Sequence, residues 1–200
     1  MQVIGLTGGI GMGKSTAAAA FRRAHIPVFD ADAAVHALQA PGGRALRAIA
    51  AAFPGTVGTD ATGRRVLDRA ALRSRVLADP AALQRLEAIV HPMVRRAEEQ
   101  FLARARRASA RIAVLDIPLL LEAGGDRRVD RVVVVSAPRS VQIGRVGRRR
   151  RMSSAQIRAV LARQMPDAEK RRRADLVVHT GLSRHHALRS ILRLIRDLRA

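Results

Sequence analysis

Eight residues near the start of the chain, Gly8-Gly9-Ile10-Gly11-Met12-Gly13-Lys14-Ser15, leave little freedom in how it folds, because they match G-x-x-x-x-G-K-S/T in full. The apolar run Gln2 to Thr7 precedes them, and the alanine-rich stretch Ser15 to Ala24 follows. That order predicts a buried strand, a glycine loop and a helix. The glycines let the backbone turn tightly, so that successive N–H groups point inward, and the helix start adds partial positive charge. Such a nest suits phosphate oxygens. Lys14 would bridge the β and γ phosphates of a nucleotide, and the Ser15 hydroxyl would ligate Mg2+. The nucleotide-binding candidates are therefore Gly8, Gly11, Met12, Gly13, Lys14, Ser15 and Thr16. A glycine-rich strand-to-helix turn that binds nothing is the alternative.

Lysine usage sharpens this reading. Of the 37 Lys and Arg residues in the 200-residue chain, only Lys14 and Lys170 are lysine. A sequence that uses arginine almost everywhere keeps a compact ammonium where a planar guanidinium would not fit. The net charge of +21 would suit a polyanion such as nucleic acid. The arginine and alanine excess also reads as a compositional bias, and aromatic residues make up only 2% of the chain, too few for base-stacking platforms. A small-molecule substrate is the expected partner, with no specific nucleic acid and no membrane. Cysteine is absent, which excludes disulfides, thiolate metal sites and cysteine nucleophiles. The start Met1-Gln2-Val3 carries no basic leader, and no apolar run reaches the roughly 18 residues of a membrane span, so a cytoplasmic location is expected.

Further strands are predicted at Pro27 to Asp30, Ile112 to Asp116, Val132 to Val135 and Leu176 to Val178, all short, apolar and rich in β-branched residues. The expected fold class is α/β: a parallel five-stranded sheet with helices on both faces, of the P-loop kinase type, plus a helical acceptor-binding subdomain and a lid. Residues 1–32, 111–141 and 165–200 would form the nucleotide-binding core, 33–110 the helical subdomain and 142–164 the lid. Within 33–110 the apolar spacing is helical, broken by a Gly/Thr/Asp loop over 54–63, with Asp68 and Asp79 as N-caps. Pro92 should bend or restart its helix. Ser153-Ser154-Ala155-Gln156 reads as a capping box, and Ile191-Leu194-Ile195-Leu198 as a closing amphipathic helix.

A phosphate loop alone fits GTPases, ATPases and kinases, so the other acidic and basic residues decide. Asp30 and Asp32 fall where the second strand ends, on the carboxyl edge where open α/β sheets bind ligands. Asp32 there could accept the proton of an attacking hydroxyl, and helix capping is the alternative for both. Asp116 ends the third strand like a Walker B carboxylate, or caps the strand end. Arg145 and Arg149 share one helix face with Gln142 and could close over a triphosphate, although Arg148 to Arg151 also suit a solvated basic face. His91 either contacts a bound acceptor or is structural.

Longer stretches carry a family resemblance. Gly5-Leu6-Thr7 with the phosphate loop, Pro27-Val28-Phe29-Asp30-Ala31-Asp32, Leu86-Glu87-Ala88-Ile89-Val90-His91-Pro92 and Asp116-Ile117-Pro118-Leu119-Leu120-Leu121-Glu122 occur in the order seen in the dephospho-coenzyme A kinase family. So do the Gln142/Arg145/Arg149 spacing, Gln164-Met165-Pro166, Glu169-Lys170 and Ala174-Asp175. The resemblance implies transfer of the γ-phosphoryl of ATP to the ribose 3′-hydroxyl of dephospho-coenzyme A. It makes Asp32 the base, Gly11 to Thr16 the ATP loop, and Arg145 and Arg149 the lid cations. Asp30, His91 and Asp116 become substrate contacts. Two positions depart from the family pattern: Met12 replaces a small residue, and Val178-His179-Thr180-Gly181 replaces a segment that usually carries an asparagine near the adenine. A kinase for another small alcohol, and a nucleotide-regulated nucleic-acid-binding protein, are the competing readings.

Overall fold

The computed structural model describes residues 1–150, 161 and 164–199, without the side chains of residues 149, 150 and 184. The expected capping box at Ser153 to Gln156 lies outside the described residues. In chain order the elements are β1 (Gln2–Thr7), α1 (Lys14–Arg23), β2 (Val28–Asp30), α2 (Ala31–Leu38), α3 (Leu46–Ala52), β3 (Val57–Thr59) and β4 (Arg65–Leu67). They continue with α4 (Arg69–Ala78), α5 (Pro80–Arg107), β5 (Ile112–Asp116), a 3-10 turn (Gly125–Arg128), β6 (Arg131–Ser136), α6 (Arg139–Arg150), α7 (Asp167–Arg172), β7 (Leu176–His179) and α8 (Arg184–Asp197). Two compact units result, one of Met1–Asp30 with Leu102–Ala200, the other of Ala31–Phe101. No helix among the described residues is long and apolar enough to cross a membrane.

The first unit is built on a five-stranded sheet in the order β2-β5-β1-β6-β7, and every pairing in it is parallel. A parallel sheet needs cover on both faces, which is why its strands read as continuous apolar runs. Alternate residues of β6 show the division. Val133 and Val135 pack with Ile4, Leu6, Phe21 and Ile191, whereas Val132 and Val134 pack with Leu120 and Leu121. The expected closing helix is α8, capped by the Ser183 side chain, which accepts from the His186 N–H. Asp175 ties the start of β7 to β6, its carboxylate accepting from the Val132 N–H at 2.6 Å.

The second unit has its own core of Leu46, Ile49, Phe53, Leu67 and Leu72, against which Leu86, Ile89 and Met93 pack. Asp68 caps α4 as expected, accepting from the Ala71 N–H at 2.9 Å, and Asp79 accepts from the Ala81 N–H at 2.8 Å at the start of α5. Two expectations need correction here. Part of the predicted loop is an antiparallel hairpin, with Val57 opposite Leu67 and Thr59 opposite Arg65. Its strands are three residues each, too short for alternation to show in the sequence, and Asp60 organises the turn by accepting from the Thr62 and Arg64 N–H groups. Of the two outcomes expected at Pro92, a bend or a restart, the restart does not occur, since α5 continues through it. The missing N–H and the ring cost roughly 3 kcal/mol, which the apolar stripe on the core of this unit offsets.

Phe21 is fully buried between α1 and the sheet. Phe21→Ala should therefore lower the unfolding free energy by about 3–5 kcal/mol in urea titrations, and Asp68→Ala by about 1 kcal/mol. A Phe21→Ala loss below about 1 kcal/mol would contradict the packing described.

Candidate active site

The glycine loop is shaped by left-handed backbone at two points. Gly13 caps α1 at φ 98°, and Gly11 has φ 77°, where an added Cβ would come within 2.7 Å of the Val146 side chain. A side chain at either position would be strained, so the turn into the helix depends on glycine there. The loop is then braced from outside. Gln142 on α6 donates to the Ile10 carbonyl at 2.8 Å, and the Gln164 side-chain oxygen accepts from the Ile10 N–H at 3.2 Å. Arg145 donates to the Gly11 carbonyl at 3.4 Å, and Thr180 donates to the Met12 carbonyl at 2.6 Å. Three successive loop carbonyls are thus taken up by surrounding side chains. At the start of α1 the Thr16 and Ala17 N–H groups bond the Gly13 carbonyl at 3.0 and 3.2 Å, and the Lys14 and Ser15 N–H groups ahead of them remain as donors for an anion.

Met12 and Thr180 both take part in this bracing. Met12 is buried and its sulfur accepts from the Ala137 N–H at 3.1 Å, so its side chain packs as well as its backbone. Thr180 is buried too. Besides its bond to Met12, it receives Arg145 at its hydroxyl (3.2 Å) and at its carbonyl (2.6 Å). The residue at the end of β7 therefore supports the loop.

Sheet register gathers the acidic residues. Leu6 of β1 pairs with Asp116 of β5, and Asp116 pairs with Asp30 of β2, so the two carboxylates stand side by side on the edge from which the loop departs. Lys14 donates to the Asp116 carboxylate at 2.6 Å, and Arg22 lies 3.5 Å from Asp30. Asp116 is only 3% exposed. Burial pushes its carboxyl above the ordinary carboxylate range, the Asp30 charge adds to that rise, and the Lys14 hydrogen bond and charge oppose it. A buried carboxylate paired to one ammonium, beside free helix amides, is an arrangement that can exchange its partner for a phosphate-bound cation.

The remaining candidates fall elsewhere. Ser15 is exposed in the first turn of α1, and Thr16 follows it half-buried. Asp32 is exposed in the first turn of α2, at the start of the second unit, and His91 is exposed in the middle of α5. Arg149 belongs to the last turn of α6, and its side chain lies outside the described residues. Sequence reasoning missed the bracing role of Gln164 and Thr180. Gln164 was marked only by its place in a family segment and Thr180 only by its place in a segment that departs from the family, since a glutamine or threonine has no spacing rule of its own. Beside the loop a cavity of about 650 Å3 is lined by Gly9, Met12, Gln142, Gln164 and Lys170 among others.

The family model for dephospho-CoA kinase matches residues 2–184. The dephospho-CoA kinase of Gluconobacter oxydans is 53% identical over 203 residues, covering all of this chain and 98% of the relative. The crystal structure of TT1252 from Thermus thermophilus superposes with a TM-score of 0.84 at 36% identity, over 98% of this chain and 96% of that one. A dephospho-CoA kinase from Campylobacter jejuni gives a TM-score of 0.71 at 22% identity, with 98% and 96% covered, which speaks for the fold. A complete phosphate loop, a lysine-paired carboxylate at the neighbouring strand end and a match over nearly the whole length agree, and the chain belongs to the dephospho-CoA kinase family, the enzymes of the final step of coenzyme A biosynthesis.

Proposed function

We propose that the glycine loop of this kinase holds the triphosphate of ATP, and that Asp32 accepts the proton of the ribose 3′-hydroxyl of dephospho-CoA as the γ-phosphoryl group moves to it. The observation that carries this reading is the Lys14–Asp116 pair, 2.6 Å apart at the mouth of the loop. The ammonium neutralises the buried carboxylate. With ATP bound, Lys14 turns to the β and γ phosphates, and the charge on Asp116 becomes available to a cation.

Magnesium fits the donors present. Ser15 and Asp116 are hard oxygen ligands, and no cluster of three His, Cys, Asp or Glu residues that could hold a metal occurs among the described residues. An ion held by these two would complete its shell with phosphate oxygens and water, as magnesium in kinases does. When bound, it would neutralise charge on the phosphates. Arg145 and Arg149 act as the cations that close over the transferring group.

On the acceptor side, Asp32 follows the end of β2 by two residues, and Asp30 and His91 are the further acceptor contacts of this reading. The second unit holds a cavity of about 400 Å3 lined by Leu38, Ala48, Ile89 and Met93, with Arg44 and Arg96 at its wall. That combination supports an acceptor that has both an apolar arm and a diphosphate. A cytoplasmic location belongs to the same reading, since ATP is supplied there.

Lys14→Ala and Asp32→Asn should each leave the protein folded while lowering kcat by about 10²–10⁴-fold in a coupled assay with ATP and dephospho-CoA. Unchanged turnover in Asp32→Asn removes the base assignment. Carboxyl NMR should find the Asp116 titration above the ordinary aspartate range, and Lys14→Met should move it higher still, because the two largest opposing influences, a hydrogen bond and a charge, come from Lys14, with Arg22 adding a smaller one. A downward movement contradicts the pairing. Arg149→Ala should reduce kcat more than it weakens ATP binding, because its charge is needed mainly in the closed state. Loss of affinity with full turnover at saturation would refute that role.

A further inference from the structure

The second lysine has no part in the transfer described above, yet it is held in the same manner as the first. Lys170, on α7, is 1% exposed, and its ammonium lies 2.7 Å from the Glu122 carboxylate. Glu122 ends the Asp116-Ile117-Pro118-Leu119-Leu120-Leu121-Glu122 segment that follows β5. The contact is Coulombic more than directional. The ammonium, the second Glu122 oxygen and one Asp167 oxygen are all buried without a hydrogen bond. A buried pair with unmet hydrogen-bonding capacity is a weak source of stability, and replacing such a pair with apolar residues of similar size is often neutral. Its presence calls for another account.

The connections of Glu122 supply one. The oxygen that faces Lys170 also accepts from the Met165 N–H at 3.1 Å. Met165 is the neighbour of Gln164, whose side-chain oxygen accepts from the Ile10 N–H in the middle of the phosphate loop. Lys170 itself follows closely, its N–H bonding the Pro166 carbonyl at 3.0 Å. The carboxylate thus fixes the chain at Met165, next to Gln164, and the ammonium holds the carboxylate. A guanidinium is too broad for a site this enclosed, which accounts for a lysine in an arginine-rich chain.

We infer that Glu122 and Lys170 are positioning residues for the phosphate loop, acting through the Met165 backbone and the Gln164 side chain. The inference rests on the reading of Gly8 to Thr16 as the ATP site. A shift of about an ångström in such a loop is enough to slow transfer by one or two orders of magnitude.

The test uses the full chain and two double variants, Glu122→Leu/Lys170→Met and Glu122→Gln/Lys170→Met. Neither leaves a buried charge unpaired, whereas Lys170→Met alone would. Three readouts are needed: the urea midpoint, kcat and KM for ATP, and hydrogen exchange of the Ile10 amide. In the folded leucine variant, kcat should fall about tenfold or more and Ile10 exchange should quicken about tenfold, with the urea midpoint near that of the wild type. The glutamine variant keeps an acceptor for Met165 and should recover part of both losses. Turnover within twofold of the wild type, or unchanged Ile10 exchange, overturns the inference. Failure of both double variants to fold also overturns it, because the pair would then be a requirement of the fold. Ile10 exchange is read without turnover. If Lys14→Ala leaves ATP binding to the wild-type background intact, the ATP-site reading fails first and separately.

Discussion

Parallel pairing of β1 between β5 and β6 is the constraint on which the rest of the molecule depends. It puts the end of β1, where the glycine loop starts, beside the end of β5, where Asp116 stands. Nothing in the loop itself requires a carboxylate 2.6 Å from Lys14. That distance exists because Leu6 and Asp116 are register partners and both strands point the same way. Register in turn is held by burial on two faces, since a slip of one residue would exchange Val133 and Val135 with Val132 and Val134 between unlike cores.

The electrostatics follow from the same arrangement. A carboxylate with 3% exposure would ordinarily be costly to ionise, and a second carboxylate at Asp30 makes it more so. One ammonium offsets that cost in the resting protein. The pairing brings the Lys14 ammonium to 2.6 Å from the buried carboxylate at the start of the first helix. Glu122 and Lys170 form a second buried pair, in which the Met165 backbone amide donates to the same carboxylate oxygen.

Much of the fold was legible along the chain because its strands are buried on both faces and so read as unbroken apolar runs. β1, β5, β6 and β7 were all predicted within a residue or two. The β3–β4 hairpin was not, as three-residue strands carry too little alternation, and at Pro92 the helix does not restart because tertiary packing outweighs a local breaker. In the site, Lys14 and the glycines were legible from a motif whose spacing is set by phosphate size. Gln142, Gln164 and Thr180 were not, because each acts through a contact with a loop more than a hundred residues away.

What the sequence determined alone is therefore local and chemical: a strand, a loop that only glycines can turn, a helix start with unpaired amides, and carboxylates at strand ends. Family membership was also readable, since the identifying segments are contiguous. Tertiary structure alone decided which carboxylate meets Lys14, that Asp116 is buried enough to need it, and that the second lysine is buried against Glu122. Those facts depend on strand order and register, and hydrophobic burial selects them from the whole chain at once rather than from any window of it.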